Sequence, residues 1–477
     1  MSTRFSSADA AWLHMDRPTN LMVINTVLLF DEPVDWQRVR QLTQERMVDA
    51  YPRFRQRAVE SRLPLRPPKW VDDTDFALEH HMHHLALPAP GDTATLQELV
   101  SDLMTMPLDR SRPLWHTYMI DGLGDGAAMI CRMHHCIADG IALARVMLSL
   151  TDAEPDAGIG PLEEWRGDSA PRGLLPDIAG SAVELVSGVG RIGSAAVRQG
   201  VDLVRSPAHA ARLAGAIGRD AGTAVRLVLT PADAATAIKG DPGISRRVSW
   251  SEPLSLAEVK QIAHSHKATV NDVLLAAVSG ALRHYLQERG GPVAEVQAMV
   301  PFNLRPLDQP VPRKLGNKFG LVFLPLPVGT SGSYRRLLEV HRRMEEIKNG
   351  RDGPVSYGLL SVTGMTPEPL ERKIIDMFTA KTTAVMTNVP GPREPVYLAG
   401  TPVRSAIVWA PTSGHMGMSV SIFSYRGEVT VGLMTDAALI PDPAHITDSL
   451  EREVQSLSRP GHARRRTPAR RQAPARR

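Results

Sequence analysis

The sequence predicts a mixed α/β protein in two halves, joined by a helical connector of different composition. Strand-like and helix-like stretches alternate over residues 1–155 and again over 246–458. Between them, residues 156–245 turn to Ala, Gly, Val and Arg with almost no aromatic side chains. At 477 residues the chain is also too long for a single hydrophobic core. The last stretch, 459–477, is rich in Arg, Pro and Ala and is expected to be disordered.

Taken in order, Val23–Phe30 reads as a strand, 34–50 as a helix and 96–106 as another helix. Residues 115–121 and 127–134 are extended runs on either side of a turn holding Gly122, Gly124 and Gly126, which predicts a hairpin. Ile141, Val146, Met147 and Leu150 then recur at helical spacing, so a helix starts just after Gly140. In the second half, Ser255 followed by Glu258 predicts a capping box, which Thr269 and Asp272 repeat more loosely. Val270, Leu274, Ala277, Val278, Ala281, Leu282 and Tyr285 form the apolar face of the helix that follows.

Composition excludes several classes. Hydrophobic residues make up 43% and charged residues 22%, as in ordinary globular proteins. No apolar run approaches the ~20 residues that cross a bilayer, and the N-terminus lacks the basic start and apolar middle of a signal peptide. Two cysteines, Cys131 and Cys136, are too few for a disulfide framework. A cytoplasmic protein is expected. The net charge of +4 includes seven arginines after His462, so the remainder is slightly acidic at −3.

The segment that carries chemistry is Met133-His134-His135-Cys136-Ile137-Ala138-Asp139-Gly140. It lies at a strand-to-helix junction, where side chains are held rigidly yet reach a channel. Adjacent histidines in extended backbone point to opposite sides, so the two have different tasks. Asp139 falls at the helix start, where a carboxylate caps free N–H groups or pairs with an arginine such as Arg305. Gly140 is expected to let the chain bend without a Cβ clash. A metal is disfavoured, because the histidines are adjacent rather than four apart and no third ligand is near. No Gly-x-Ser-x-Gly elbow occurs, which argues against a covalent serine enzyme.

This motif resembles the active-site signature of CoA-dependent acyltransferases, which include chloramphenicol acetyltransferase and peptide-synthetase condensation domains. The chain from about 6 to 457 resembles, more narrowly, the bacterial wax ester synthase/diacylglycerol acyltransferase family. Further matching stretches are Pro107-Leu108-Asp109-Arg110, Arg112-Pro113-Leu114-Trp115, Asn271-Asp272, Pro301-Phe302-Asn303-Leu304-Arg305, Gly316-Asn317-Lys318-Phe319-Gly320 and Asn388-Val389-Pro390-Gly391-Pro392.

The resemblance implies two chloramphenicol-acetyltransferase-like α/β halves with a channel between them. It implies that His135 is the general base for attack of an alcohol on acyl-CoA, with His134 supporting and Asp139 structural. Imidazole suits that role because its pKa lies near the working pH. The acceptor would be diacylglycerol or a long-chain fatty alcohol, giving triacylglycerol or wax ester. Acyl-CoA is a substrate, and no cofactor, metal or nucleic acid is expected. Gly140, Asn271, Asn303 and Arg305 are candidate substrate-binding residues, Asn271 also as a hydrogen-bond partner of the histidine or as a helix cap. Ser419 and Ser421 are candidates for stabilising the oxyanion, although strand alternation also accounts for them. Alternatives are another condensation-type acyltransferase and a non-catalytic coat of lipid droplets.

Other features are weaker. Gly188-Val189-Gly190-Arg191-Ile192-Gly193 fits a dinucleotide-binding pattern but follows a helix-like stretch, so it is discounted. His80, His81, His83 and His84 resemble a metal cluster, but an exposed strand explains them better. Arg191, Arg198, Arg205, Arg212, Arg219 and Arg226 recur every seven residues, one drifting stripe on a helix. Such a stripe either meets an anionic membrane or lipid droplet, consistent with peripheral attachment, or forms an ordinary surface.

Overall fold

The computed structural model describes residues 2–61, 67–158, 233–303, 313, 315–317, 319–348, 373, 375–377 and 379–458. The arginine stripe, the glycine pattern at 188–193, Arg305 and the C-terminal tail lie outside them, as does the side chain of Asn303.

The first sheet has the order β15-β2-β7-β6-β5. Its strands are β2 (Val23–Phe30), β5 (Met82–Ala86), β6 (Trp115–Leu123), β7 (Gly126–His134) and β15 (Ser405–Trp409). All eight residues of β2 are buried because both of its faces are covered. Leu28 and Phe30 pack into one core and Val27 and Leu29 into another. A strand covered on both sides reads as a continuous apolar run rather than an alternation. The β6–β7 hairpin forms as expected and turns through Gly124 at a φ of +56°. The helix expected from 34 starts at Trp36 instead, because Asp35 caps it by accepting from the Arg38 N–H at 3.0 Å.

The second sheet runs β11-β10-β12-β16-β17-β8. Its strands are β8 (Arg246–Trp250), β10 (Val296–Asn303), β11 (Phe319–Leu326), β12 (Ala384–Pro390), β16 (Met418–Tyr425) and β17 (Glu428–Asp436), with the two-residue strand Leu254–Ser255 also pairing antiparallel with β17. One face carries the long helix α6 (Val270–Glu288), flanked by α7 (Ser333–Lys348) and α8 (Ala444–Ser458). Leu275, Val278 and Leu282 of α6 meet Val300, Leu324 and Val420 of the sheet in one core.

Two features fasten the halves together. The strand β15 leaves the second half to pair antiparallel with β2, Ile407 opposite Val27. Helix α3 (Thr93–Thr105) of the first half packs on β8, and its Ser101 hydroxyl accepts from the Val248 N–H at 3.1 Å. Neither pairing is local in sequence.

Candidate active site

The site begins where β7 runs out. His134 is its last paired residue, opposite Val23. The backbone N–H of His135 then donates to the Met22 carbonyl at 2.7 Å, one more rung beyond the strand. The chain turns, and helix α4 (Gly140–Leu148) starts with Asp139 as its cap, accepting from the Ala142 N–H at 2.9 Å. A strand end and a helix start therefore hold the motif rigidly from both sides.

The two histidines face different surroundings. His134 Nδ1 accepts from the Cys136 N–H at 3.1 Å, so a ring proton sits on Nε2. That nitrogen points at Asp16 Oδ1 across 3.7 Å, too far for a hydrogen bond. Burial pushes the Asp16 carboxyl up, but His134, the Met22 N–H and Arg110 outweigh it and hold the group below its ordinary value. Arg110, from the Pro107–Arg110 stretch, lies 3.2 Å from Asp16, and the Leu114 carbonyl accepts from the His134 N–H at 2.9 Å. These two stretches thus seat His134.

His135 is 5% exposed and points the other way. Its ring stacks on Trp12 with centroids 3.9 Å apart and planes 16° apart, while Phe319 sits 5.5 Å away. Its Nδ1 lies 2.9 Å from Asn317 Oδ1, and the Asn317 amide nitrogen donates back to the His135 carbonyl at 2.8 Å. Nδ1 therefore carries the proton and Nε2 presents its lone pair. Burial pushes the imidazole down to about 3, so it is neutral at ordinary pH. Chemically, this is a buried neutral imidazole, fixed in one tautomer, with its basic nitrogen outside the hydrogen-bond network that anchors it.

Several expectations need correction. Asn271 does not reach His135: the Asn388 amide donates to its side-chain oxygen, which joins two of the recognised stretches within the second half. The helix it opens is capped by Thr269 and Asp272, which form the full reciprocal box. At Ser255, the hydroxyl accepts from the Glu258 N–H at 3.3 Å. Gly140 needs no special backbone conformation, and a Cβ there would meet no described atom within 4 Å. Its position leaves space beside the helix start rather than relieving a bend.

Ser419 and Ser421 are buried on β16, and neither hydrogen-bonds His135. The Ser419 hydroxyl has no partner among the described residues. Of the histidine run, His81 is buried rather than exposed, its Nδ1 2.8 Å from the Trp115 carbonyl and its ring stacked on Trp115. His83 Nε2 meets His116 Nδ1 at 2.9 Å, and His84 pairs with Asp121 at 2.7 Å. No group of three or more His, Cys, Asp or Glu arranged to hold a metal occurs among the described residues.

The residue that sequence reasoning missed is Asn317. It belongs to the recognised Gly316–Gly320 stretch, but no local signal ties it to a histidine 182 positions earlier.

Residues 5–274 match the wax ester synthase/diacylglycerol acyltransferase catalytic domain, and residues 315–458 match the C-terminal domain of that family. The probable diacylglycerol O-acyltransferase of Mycobacterium tuberculosis is 31% identical over 409 residues, covering 83% of each chain. The O-acyltransferase WSD of Acinetobacter baylyi is 28% identical over 392 residues, covering 81% of this chain and 82% of its own. Among solved structures, the wax ester synthase/diacylglycerol acyltransferase of Marinobacter aquaeolei superposes with a TM-score of 0.67 at 24% identity, over 96% of this chain and 99% of that one. The first condensation domain of the calcium-dependent antibiotic synthetase gives 0.59 at 16% identity, over 96% and 97%. These neighbours bear out the expected pair of chloramphenicol-acetyltransferase-like halves. This chain belongs to the wax ester synthase/diacylglycerol acyltransferase family of acyltransferases.

Proposed function

We propose that the protein transfers a long-chain acyl group from acyl-CoA to the hydroxyl of diacylglycerol or a fatty alcohol, with His135 as general base. The observation that carries this reading is the neutral imidazole, its Nδ1–H bound to Asn317 and its Nε2 left to meet a substrate. The acceptor O–H donates to Nε2, and its oxygen attacks the thioester carbonyl. The tetrahedral intermediate collapses with loss of CoA thiolate, which takes the proton back from the imidazolium to leave as the thiol. Burial makes the imidazole a weak base in the empty site. Negative charge developing on the neighbouring carbonyl oxygen raises its proton affinity during attack.

Transfer is direct in this reading. The only thiol beside the base, that of Cys136, is fully buried, and burial with the nearby Asp9 pushes it well above its ordinary value. It therefore stays protonated and unreactive. The acceptors are water-insoluble, so the enzyme works at a lipid surface on the cytoplasmic side. No helix among the described residues is long and apolar enough to cross a membrane.

The test uses palmitoyl-CoA with diacylglycerol and hexadecanol competing in vesicles, products resolved by chromatography. Ester should form with stoichiometric thiol release, and His135→Ala should lower the rate by about 10²–10⁴. Labelled acyl-CoA without acceptor should leave no label on the denatured protein. A stable label, or a fully active His135→Ala, would overturn the mechanism.

A further inference from the structure

A neutral imidazole holds one ring proton, and His135 can act as a base at Nε2 only when that proton sits on Nδ1. The Asn317 amide decides this, but an amide can itself face either way: its oxygen stabilises Nδ1–H, whereas its NH2 would favour the opposite tautomer. Something must hold the amide. Two acceptors take that NH2, the His135 carbonyl at 2.8 Å and the carboxylate of Asp9 in helix α1 (Ser7–Met15), and of the two only Asp9 is a side chain that also grips the Asn317 backbone. Asp9 Oδ1 accepts from the Asn317 backbone N–H at 3.0 Å and from its side-chain NH2 at 2.9 Å. A carboxylate only accepts, so the NH2 must face Asp9 and the oxygen must face the histidine.

We infer that Asp9 is the positioning residue of the catalytic histidine, fixing its tautomer through Asn317. The inference rests on the proposed role of His135. Asp9 is 1% exposed, and its other oxygen lies 3.5 Å from the Arg53 guanidinium, which in turn covers the Trp70 ring at 4.2 Å. That partner sets an opposite charge against the buried carboxylate and holds it in place from the side away from Asn317. The neutral amide between Asp9 and His135 also matters. A carboxylate directly on Nδ1 would favour the protonated imidazole, which is no base. An amide passes on the orientation without placing a full charge against the ring.

A structural role for Asp9 is the competing account, since it also sits in the first turn of α1 with its N–H on the Ser6 hydroxyl at 3.1 Å. The two accounts differ in what a variant changes. The titratable and charged groups around His135 are His134, Cys136 and Asp139 on its own segment, Asp9 and Asp16 before β2, Arg53 on the neighbouring short helix and Arg110 behind Asp16.

The experiment combines kinetics of the full chain with ¹⁵N spectra of labelled histidine, the His135 signals being assigned by their loss in His135→Ala. The wild type should show a protonated Nδ1 and a bare Nε2. Asp9→Asn should populate both tautomers and lower kcat roughly ten-fold or more, with the KM for palmitoyl-CoA changed less than about two-fold. Asn317→Ala, which leaves the Asp9–Arg53 pair in place, should do the same and carries the test if Asp9→Asn does not fold. A folded variant of either kind with wild-type tautomer and kcat would overturn the inference. If His135→Ala has already proved inactive, such a result leaves the general-base reading standing. An active His135→Ala would remove both.

Discussion

Burial pushes the His135 imidazole down to about 3 from an ordinary 6.5, while hydrogen bonds to its own backbone and to Asn317 push less strongly the other way. The lowered value has a kinetic consequence. A base must be deprotonated to act, so kcat/KM for a short, soluble alcohol should stay level as the pH falls from 8 to 6. An acid limb centred near 6.5, in protein that circular dichroism shows to be folded, would mean that the imidazole titrates as if exposed. At this scale the motif itself was legible because its members are contiguous: a strand end, two histidines of opposite direction and a helix-capping aspartate lie within six residues. The anchoring amide was not legible. Asn317 and Asp9 lie 308 positions apart and meet His135 only once both halves have folded. Asn271, a candidate partner of the histidine, instead accepts from the Asn388 amide within the second half.

Elements were read well where local chemistry decides them and less well where it does not. The β6–β7 hairpin follows from its glycine turn, and α4 follows from its apolar spacing and its cap. Asp139 accepts from the Ala142 N–H at 2.9 Å, satisfying a donor that the first turn of a helix otherwise leaves unpaired. Asp139→Ala should therefore cost about 1 kcal/mol of stability, within a range of roughly 0.5–2. Asp139→Asn, which can still cap, should lower the melting temperature less than Ala does. Equal melting of Asn and Ala variants would show that the charge of Asp139, not its capping oxygen, supports the loop. By contrast, β15 gave no sequence signal of its destination. Five residues of ordinary strand character join the other half's sheet because Ile407 and Trp409 find their apolar partners there, with Val27, Leu29 and the α3 face. Tertiary burial makes that choice, not propensity.

For the whole molecule, the mixed α/β fold was legible from the alternation of strand-like and helix-like stretches, but the seam was not, because β15, Asn317 and the α3–β8 contact all join residues far apart in sequence. The same close packing lowers the proton affinity of four imidazoles in the first half. Burial is the leading cause in each case. It takes His135 down to about 3 and His116 to about 4, the latter helped by His81, His83 and Arg132, and it lowers His81 and His83 as well. Their folded-state values lie below the unfolded value of 6.5, so between these limits the unfolded chain binds protons that the folded one refuses. Stability is then full above pH 6.5 and declines as the pH falls through the window toward 4 and 3. Each proton taken up on unfolding tilts stability by about 1.4 kcal/mol per pH unit. His135 contributes in full, and the half-buried His116 contributes less, since water screens part of its cost. The melting temperature should therefore drop steadily from pH 7 to pH 5, and replacing His116 by Gln should flatten the slope without abolishing it. A melting temperature constant across that range would mean that these imidazoles are protonated as readily folded as unfolded, and that the packing around β5, β6 and His135 is looser than the structure describes.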